Sequence, residues 1–350
     1  MFASVGVAFG REPPLPYAWG GPAGQARLRA TPEDFQVTEI PVCLPEGQGE
    51  HLWLRVRKRD SNTEWVAKQL ARWAGVGPAQ VSYAGLKDRH AITEQWFSIH
   101  LPGQPDPDLT LLANDEFHIE EAARHSRKLK RGALKGNRFV LRLHDWMGDR
   151  ELLEQRLHRI AGGGVPNYFG EQRFGHEGGN LEQARRLFSG ELKKCPRHQR
   201  GLYLSAARSW LFNHIASLRV ADGTWNQALP GDFLQLDGRH AGFVAEADDS
   251  ELAARLHAME VHPTGPMWGR GRPQTGEPQT LREADQLAAC PHWREGLERA
   301  GLEQERRALR VRVEQLCWEW EDEGSLRLEF SLNAGAYATV VVRELVEGVQ

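Results

Sequence analysis

The chain has 350 residues, 40% apolar and 26% charged, proportions of a soluble globular protein long enough for two cores. A formal net charge of −3 excludes a globally basic nucleic-acid binder and confines any RNA surface to a local cluster of Lys and Arg. Four dispersed cysteines, Cys43, Cys195, Cys290 and Cys317, contain no C-x-x-C pair, which argues against a disulfide framework or structural zinc and fits a reducing cytoplasm.

In chain order, MFASVGVAFGREPP lacks the basic n-region of a signal peptide. No later stretch approaches the length that crosses a bilayer, so no membrane partner is expected. HLWLRVRK places Leu52, Leu54 and Val56 on one face at period two, a half-buried strand. SNTEWVAKQLARWAGVG then reads as a helix, with Ser61 and Glu64 as a capping box and Gly75 as its end. TEQWFSIHL and NRFVLRLH are further strands, and RELLEQRLHRIAG is a helix that stops at Gly162, Gly163 and Gly164. That glycine run is the expected domain boundary. Beyond it NLEQARRLFSG, LSAARSWLFNHIASLRV, SELAARLHAME and much of 280–310 have helical spacing. GDFLQLDGRHAGFVAE reads as a short hairpin and HPTGPMWGRGRPQTGEP as a loop dense in Gly and Pro. Strand signal returns in SLRLEFSL, through Leu326, Leu328, Phe330 and Leu332. The expectation is an α+β protein in which residues 1–161 and 311–350 form one discontinuous domain around an insertion at 162–310.

Three segments carry potential chemistry. In YAGLKDRHAITEQWFSI, Asp88 lies among Lys87, Arg89 and His90. Neighbouring positive charge keeps a carboxylate ionised, and nucleophilic attack on a sugar carbon needs that state. A solvated turn whose charges satisfy one another fits the same residues. In ARHSRKLKRGALKGNRF, seven Lys or Arg fall between Arg124 and Arg138. Such a run suits several phosphates, or simply solvent. Asn137 differs in kind, since an amide can both donate to and accept from a uracil edge. VPNYFGEQRFG suits either stacked bases with Arg on phosphate or a hinge packed by Tyr168, Phe169 and Phe174.

Together GLKDRHAITEQWFSI, RKLKRGALKGNRF, VPNYFGEQRFG and AGAYATVVVRELV resemble the TruD family of tRNA pseudouridine synthases. PEDFQVTE, SAARSWLFNHI and HPTGPMWG extend the resemblance over residues 30 to 346, in the family's order. The resemblance implies a catalytic domain with a mixed, largely antiparallel sheet and a mainly helical inserted domain. It implies isomerisation of a uridine to pseudouridine, typically at position 13 of tRNA, by a monomer that needs no cofactor and no metal. The family's aspartate maps onto Asp88, and Arg29 is the basic residue expected to pair with it. Phe35, Asn137 and Tyr337 match positions that hold the target nucleotide. Tyr337 stands where the family usually has Phe, and its hydroxyl needs a partner or water if buried. Lys87, Arg89, Lys128, Lys130, Arg131, Lys135 and Arg173 are the expected RNA contacts, tRNA being the partner.

Two other classes fit parts of the pattern. A passive RNA-binding protein explains the basic run but leaves Asp88 without a role. A glycoside hydrolase has Glu33, Asp34, Glu171 and Glu177 to draw on, with no pair whose separation sequence reveals.

Overall fold

The computed structural model describes residues 15–112, 115–246 and 249–349. The segment lacking a signal-peptide pattern, residues 1–14, lies outside the described residues. The chain forms two compact units. One comprises Pro22–Leu157, Val313–Ala338 and Leu345–Gln350, and the other comprises residues up to Gly21, His158–Arg312 and Thr339–Glu344.

The first unit is built on a sheet. In chain order its elements are β1 (Gly24–Leu28), β2 (Phe35–Pro41), β3 (His51–Arg59), helix α1 (Thr63–Trp73), β4 (Val81–Tyr83), β5 (Ile92–His100), β6 (Phe117–His125) and β7 (Leu134–Gly148). Helix α2 (Arg150–Gly163) then carries the chain into the second unit, whose elements are β8 (Val165–Pro166), α3 (Gly179–Phe188), α4 (Arg197–Ala221), β9 (Phe233–Leu236), β10 (Gly242–Val244), α5 (Leu252–His257), β11 (Val261–Met267), α6 (Glu277–Gln286), α7 (Pro291–Arg299), β12 (Glu305–Ala308) and β13 (Arg310–Val311). The chain returns to the sheet through β14 (Glu314–Trp320) and β15 (Leu326–Asn333), and ends with α8 (Ala338–Leu345), most of which belongs to the second unit, and β16 (Val346–Val349) of the sheet.

The large sheet runs β14-β15-β7-β2-β5-β3-β6, with β4 beside β5 and β1 between β7 and β16. Only β2 with β5 and β1 with β16 pair in parallel among the described strands, so the sheet is mixed and largely antiparallel, as expected for this α+β fold. Alternation decides which side chains are buried. Leu52, Leu54 and Val56 of β3 join Phe97 and Ile99 of β5 in a core covered by Val66 and Leu70 of α1. Three neighbouring strands meet in a second row, where Val37 lies opposite Phe139 and Phe139 opposite Phe330.

Helix α1 starts one residue later than the capping-box reading. Asn62 is the cap and accepts from Glu64 N at 2.8 Å, while Ser61 Oγ turns away to Arg59 O and Glu116. Gly75, at φ +66°, ends it: Gly75 N donates to Arg72 O and Val76 N to Ala71 O, which takes up the last carbonyls.

In the second unit the expected hairpin is present as β9 and β10. The Gly- and Pro-rich segment after it is not all loop, because Val261–Met267 is the strand β11, paired with β9 and β12. A proline loses its donor but keeps its acceptor, and Pro263 O takes a bond from Leu309 N at 2.8 Å. The unit's middle is the 25-residue α4, whose Trp210, Leu211, Phe212 and Ile215 are buried. Residues 15–21 and Thr339–Glu344, expected with the sheet, belong to this unit. Ala18 N and Trp19 N donate to the buried Glu344 carboxylate at 3.0 and 3.1 Å, and Arg343 lies over Tyr17 at 4.4 Å. Among the described residues no helix is long and apolar enough to cross a membrane.

Candidate active site

Asp88 lies on the loop between β4 and β5, and almost every anchor of that loop comes from a buried group far away in sequence. Lys87 N donates to Thr63 Oγ1 at 3.1 Å, Thr63 Oγ1 donates to Gln95 Oε1 at 2.9 Å, and Gln95 Nε2 donates to Gly85 O at 3.1 Å. Lys58, 1% exposed, donates through Nζ to Ser61 O at 2.6 Å and to Asp88 O at 2.8 Å. Burial pushes the Lys58 ammonium down from its ordinary 10.5 to about 8, with Lys87 adding to the shift and Asp88 and Asp60 opposing it. The backbone is thereby fixed while the Asp88 side chain remains 40% exposed. An accessible carboxylate on a rigid loop is what a nucleophile or base requires.

Arg29 reaches Asp88 from the end of β1. Its Nη2 donates to Asp88 Oδ2 at 3.3 Å, and its guanidinium lies 3.9 Å from the Phe35 ring centroid. Arg29 adopts φ +55°, a left-handed backbone costing a non-glycine residue about 1 kcal/mol. The following turn is fixed by Asp34, which accepts from Thr31 N at 2.7 Å and pairs with His144 at 2.8 Å. That turn delivers Phe35, 6% exposed, to the head of β2. The structure therefore brings Arg29, Phe35 and Asp88 together.

Lys87 does not fit the expected RNA contact. Its side chain is 5% exposed and donates to Glu39 Oε2 at 2.7 Å, Glu39 itself being 1% exposed. An ammonium buried against its counter-ion is not offered to a phosphate. Glu39 lies opposite Asn137 in the β2–β7 register, which places Asn137 beside the anchor of the Asp88 loop. Asn137 Oδ1 is buried and has no hydrogen-bond partner among the described residues. Tyr337, 36% exposed, follows β15 in the same unit. Arg89 is exposed, and the neighbouring His90 pairs with Asp60 at 2.8 Å.

The basic segment is shaped rather than loose. Arg127 O accepts from Trp53 Nε1 at 2.9 Å, Leu129 N donates to Ser98 Oγ at 3.0 Å, and Gly132 N donates to Ala84 O at 2.7 Å. Leu129 is buried with Trp53 and Trp96, so Lys128, Lys130 and Arg131 stay exposed around a fixed backbone, with Lys135 exposed further on. Arg124 and Arg138, counted in the same run, are tied to Asp106 and Glu329.

Arg173 belongs to the second unit, where it donates to Ser205 Oγ at 3.1 Å. The rings of VPNYFGEQRFG do not face solvent. Tyr168, Phe169 and Phe174 are at most 4% exposed, and burial pushes the Tyr168 phenol well up. They pack that unit, so the stacking reading fails for them.

Sequence reasoning missed Lys58, Glu39, Thr63 and Gln95. Lys58 is in phase with Leu52, Leu54 and Val56, and Glu39 with Phe35 and Val37. A charged residue at the buried phase of a strand was the available signal.

A family model described as tRNA pseudouridine synthase D (TruD) matches residues 15–183 and 179–345. The chain is 49% identical over 331 residues to the tRNA pseudouridine synthase D of Hydrogenovibrio crunogenus, covering 95% of each chain. It is 50% identical over 343 residues to that of Nitrosococcus oceani, covering 97% of this chain and 93% of the relative. A crystal structure of a putative tRNA pseudouridine synthase D from Methanosarcina mazei shares the fold, with a TM-score of 0.73 at 21% identity over 95% of each chain. On this sequence and fold evidence, the chain belongs to the TruD family of tRNA pseudouridine synthases.

Proposed function

We propose that the protein isomerises uridine to pseudouridine at position 13 of tRNA, in the D-arm, with Asp88 as the catalytic carboxylate. The reading rests on one observation above the others. An accessible carboxylate on a rigidly anchored loop is paired with Arg29, whose guanidinium also lies against Phe35.

In the reaction the N1–C1′ bond breaks, the uracil turns, and C5 bonds to C1′. C5 loses a proton and N1 gains one, so the change is balanced without oxidant, water or group donor. The Asp88 carboxylate serves by attack on C1′, giving a glycosyl ester, or by removing the 2′ hydrogen, giving a glycal; both routes need it ionised and held in place. Arg29 supplies positive charge to that carboxylate, and Lys58 holds its backbone. Asn137 reads the uracil edge through its amide, and the Phe35 and Tyr337 rings flank the extracted base. Arg89, Lys128, Lys130, Arg131, Lys135 and Arg173 contact the RNA. Extracting a base costs about a few kcal/mol, which these contacts offset.

The test uses an unmodified tRNA transcript carrying tritium at uridine C5, incubated with the protein and with Asp88→Asn, without cofactor. Release by the wild type alone, with a single carbodiimide-dependent primer-extension stop in the D-arm, is the expected result. Tight binding by both proteins with no release from a competent tRNA set would leave a passive RNA binder as the better reading.

A further inference from the structure

The sheet unit holds a cavity of about 530 Å³ lined by α1, β4 and the basic segment. That size lies within the about 300–1,000 Å³ range of small-ligand sites. Its floor is apolar, formed by Ala67, Val81 and Leu129, each at most 9% exposed. Its rim carries Lys68, Lys128, Lys130 and Arg131 against the single carboxylate of Glu64. An apolar floor under a cationic rim matches a group that is flat and hydrophobic at one end and anionic at the other.

The Arg131 guanidinium is already oriented. It lies 4.5 Å from the Tyr83 ring centroid and donates through Nη2 to Tyr83 Oη at 3.1 Å. Arg131 is exposed and lines the cavity, and a guanidinium plane held in this way is the kind of surface on which an unstacked RNA base is laid. Tyr83 and Asp88 are five positions apart, so their Cα atoms are at most about 18 Å apart. A strand engaged at Asp88 can therefore place a nearby nucleotide here.

Building on the function proposed above, we infer that this cavity receives one unpaired nucleotide of the RNA substrate, distinct from the uridine that reacts. Its base lies on Arg131 over the apolar floor, and its phosphate is held by Lys68 and Lys130.

Arg131→Lys keeps the charge and removes the planar fork, so it separates a nucleotide pocket from a diffuse cationic patch. Affinity for an unmodified tRNA transcript is measured in the Asp88→Asn background, alongside a scan of single abasic nucleotides through the D-arm. The expected result is an about tenfold rise in Kd for Arg131→Lys. One abasic position should weaken binding by the parent protein and have no further effect on the Arg131→Lys variant. Lys68→Ala with Lys130→Ala should flatten the salt dependence of binding by about one unit, the contribution of one phosphate. Equal affinity of the parent protein and the Arg131→Lys variant at every abasic position would overturn the pocket. Single-turnover conversion by the wild type is followed separately. Conversion without Arg131 sensitivity sinks the pocket alone, and Arg131 sensitivity without conversion sinks the proposed reaction alone.

Discussion

Lys58 occupies a position where strand alternation calls for an apolar side chain, and two backbone carbonyls account for it. Its ammonium bonds Ser61 O and Asp88 O and so ties the loop of Asp88 to the strand beneath. Hydrogen bonds to a charged group are each worth about 1.5–3 kcal/mol. Lys58→Met should therefore lower kcat about 10- to 100-fold, with a much smaller change in KM, in the tritium-release assay. An unchanged kcat would remove Lys58 from the mechanism. The pH dependence has a definite sign. The folded value of about 8 lies below the ordinary 10.5, so between them the unfolded chain holds a proton that the folded one has released. Stability gains a contribution from this site as pH rises through that window, whereas the loop loses its charged anchor as pH rises through about 8. Thermal melts at either end of the window should show a relative gain for the wild type that Lys58→Met lacks.

At the scale of elements, the site depends on how closely β7 and β15 approach. A Cβ added at Gly136 would run into the carbonyl oxygen of Leu332 on β15, next to the position of Asn137. Gly136→Ala should cost about 1–3 kcal/mol in urea unfolding and reduce turnover as well. Gly162, in the last turn of α2 with open space where a Cβ would stand, is the contrast; alanine there should be neutral or stabilising by up to about 1 kcal/mol. The strands β3, β7 and β15 and the helix α1 were legible because each has an apolar face at a clean period, and β5 was legible from its aromatic and β-branched run. β11 was not legible from sequence. Pro263 and Pro266 read as breakers, yet Pro263 serves the strand through its carbonyl, which accepts from Leu309 N. The basic run was visible as charge, but its shape came from Trp53, Ser98 and Ala84, none of which belongs to it.

At the scale of the whole molecule, each unit carries its own buried ion pairs. In the second unit Arg219 and Asp232 are both 0% exposed and meet through two bonds of 2.9 and 3.0 Å. Removing one partner strands a buried charge, so Asp232→Ala should cost about 3–5 kcal/mol of that unit's stability in denaturant unfolding followed by circular dichroism. A loss below about 1 kcal/mol would mean that water reaches Arg219 in the variant. The motifs by themselves determined the family, the α+β class and Asp88 as the candidate carboxylate, because those depend on residue types in a fixed order. Folding decided which of three adjacent charges stay exposed. Lys87 turns inward to Glu39 while Asp88 and Arg89 stay exposed. The partners that settle this, Glu39 and Lys58, lie tens of residues away, and the free energy of a charge depends on what the fold places beside it rather than on its neighbours along the chain.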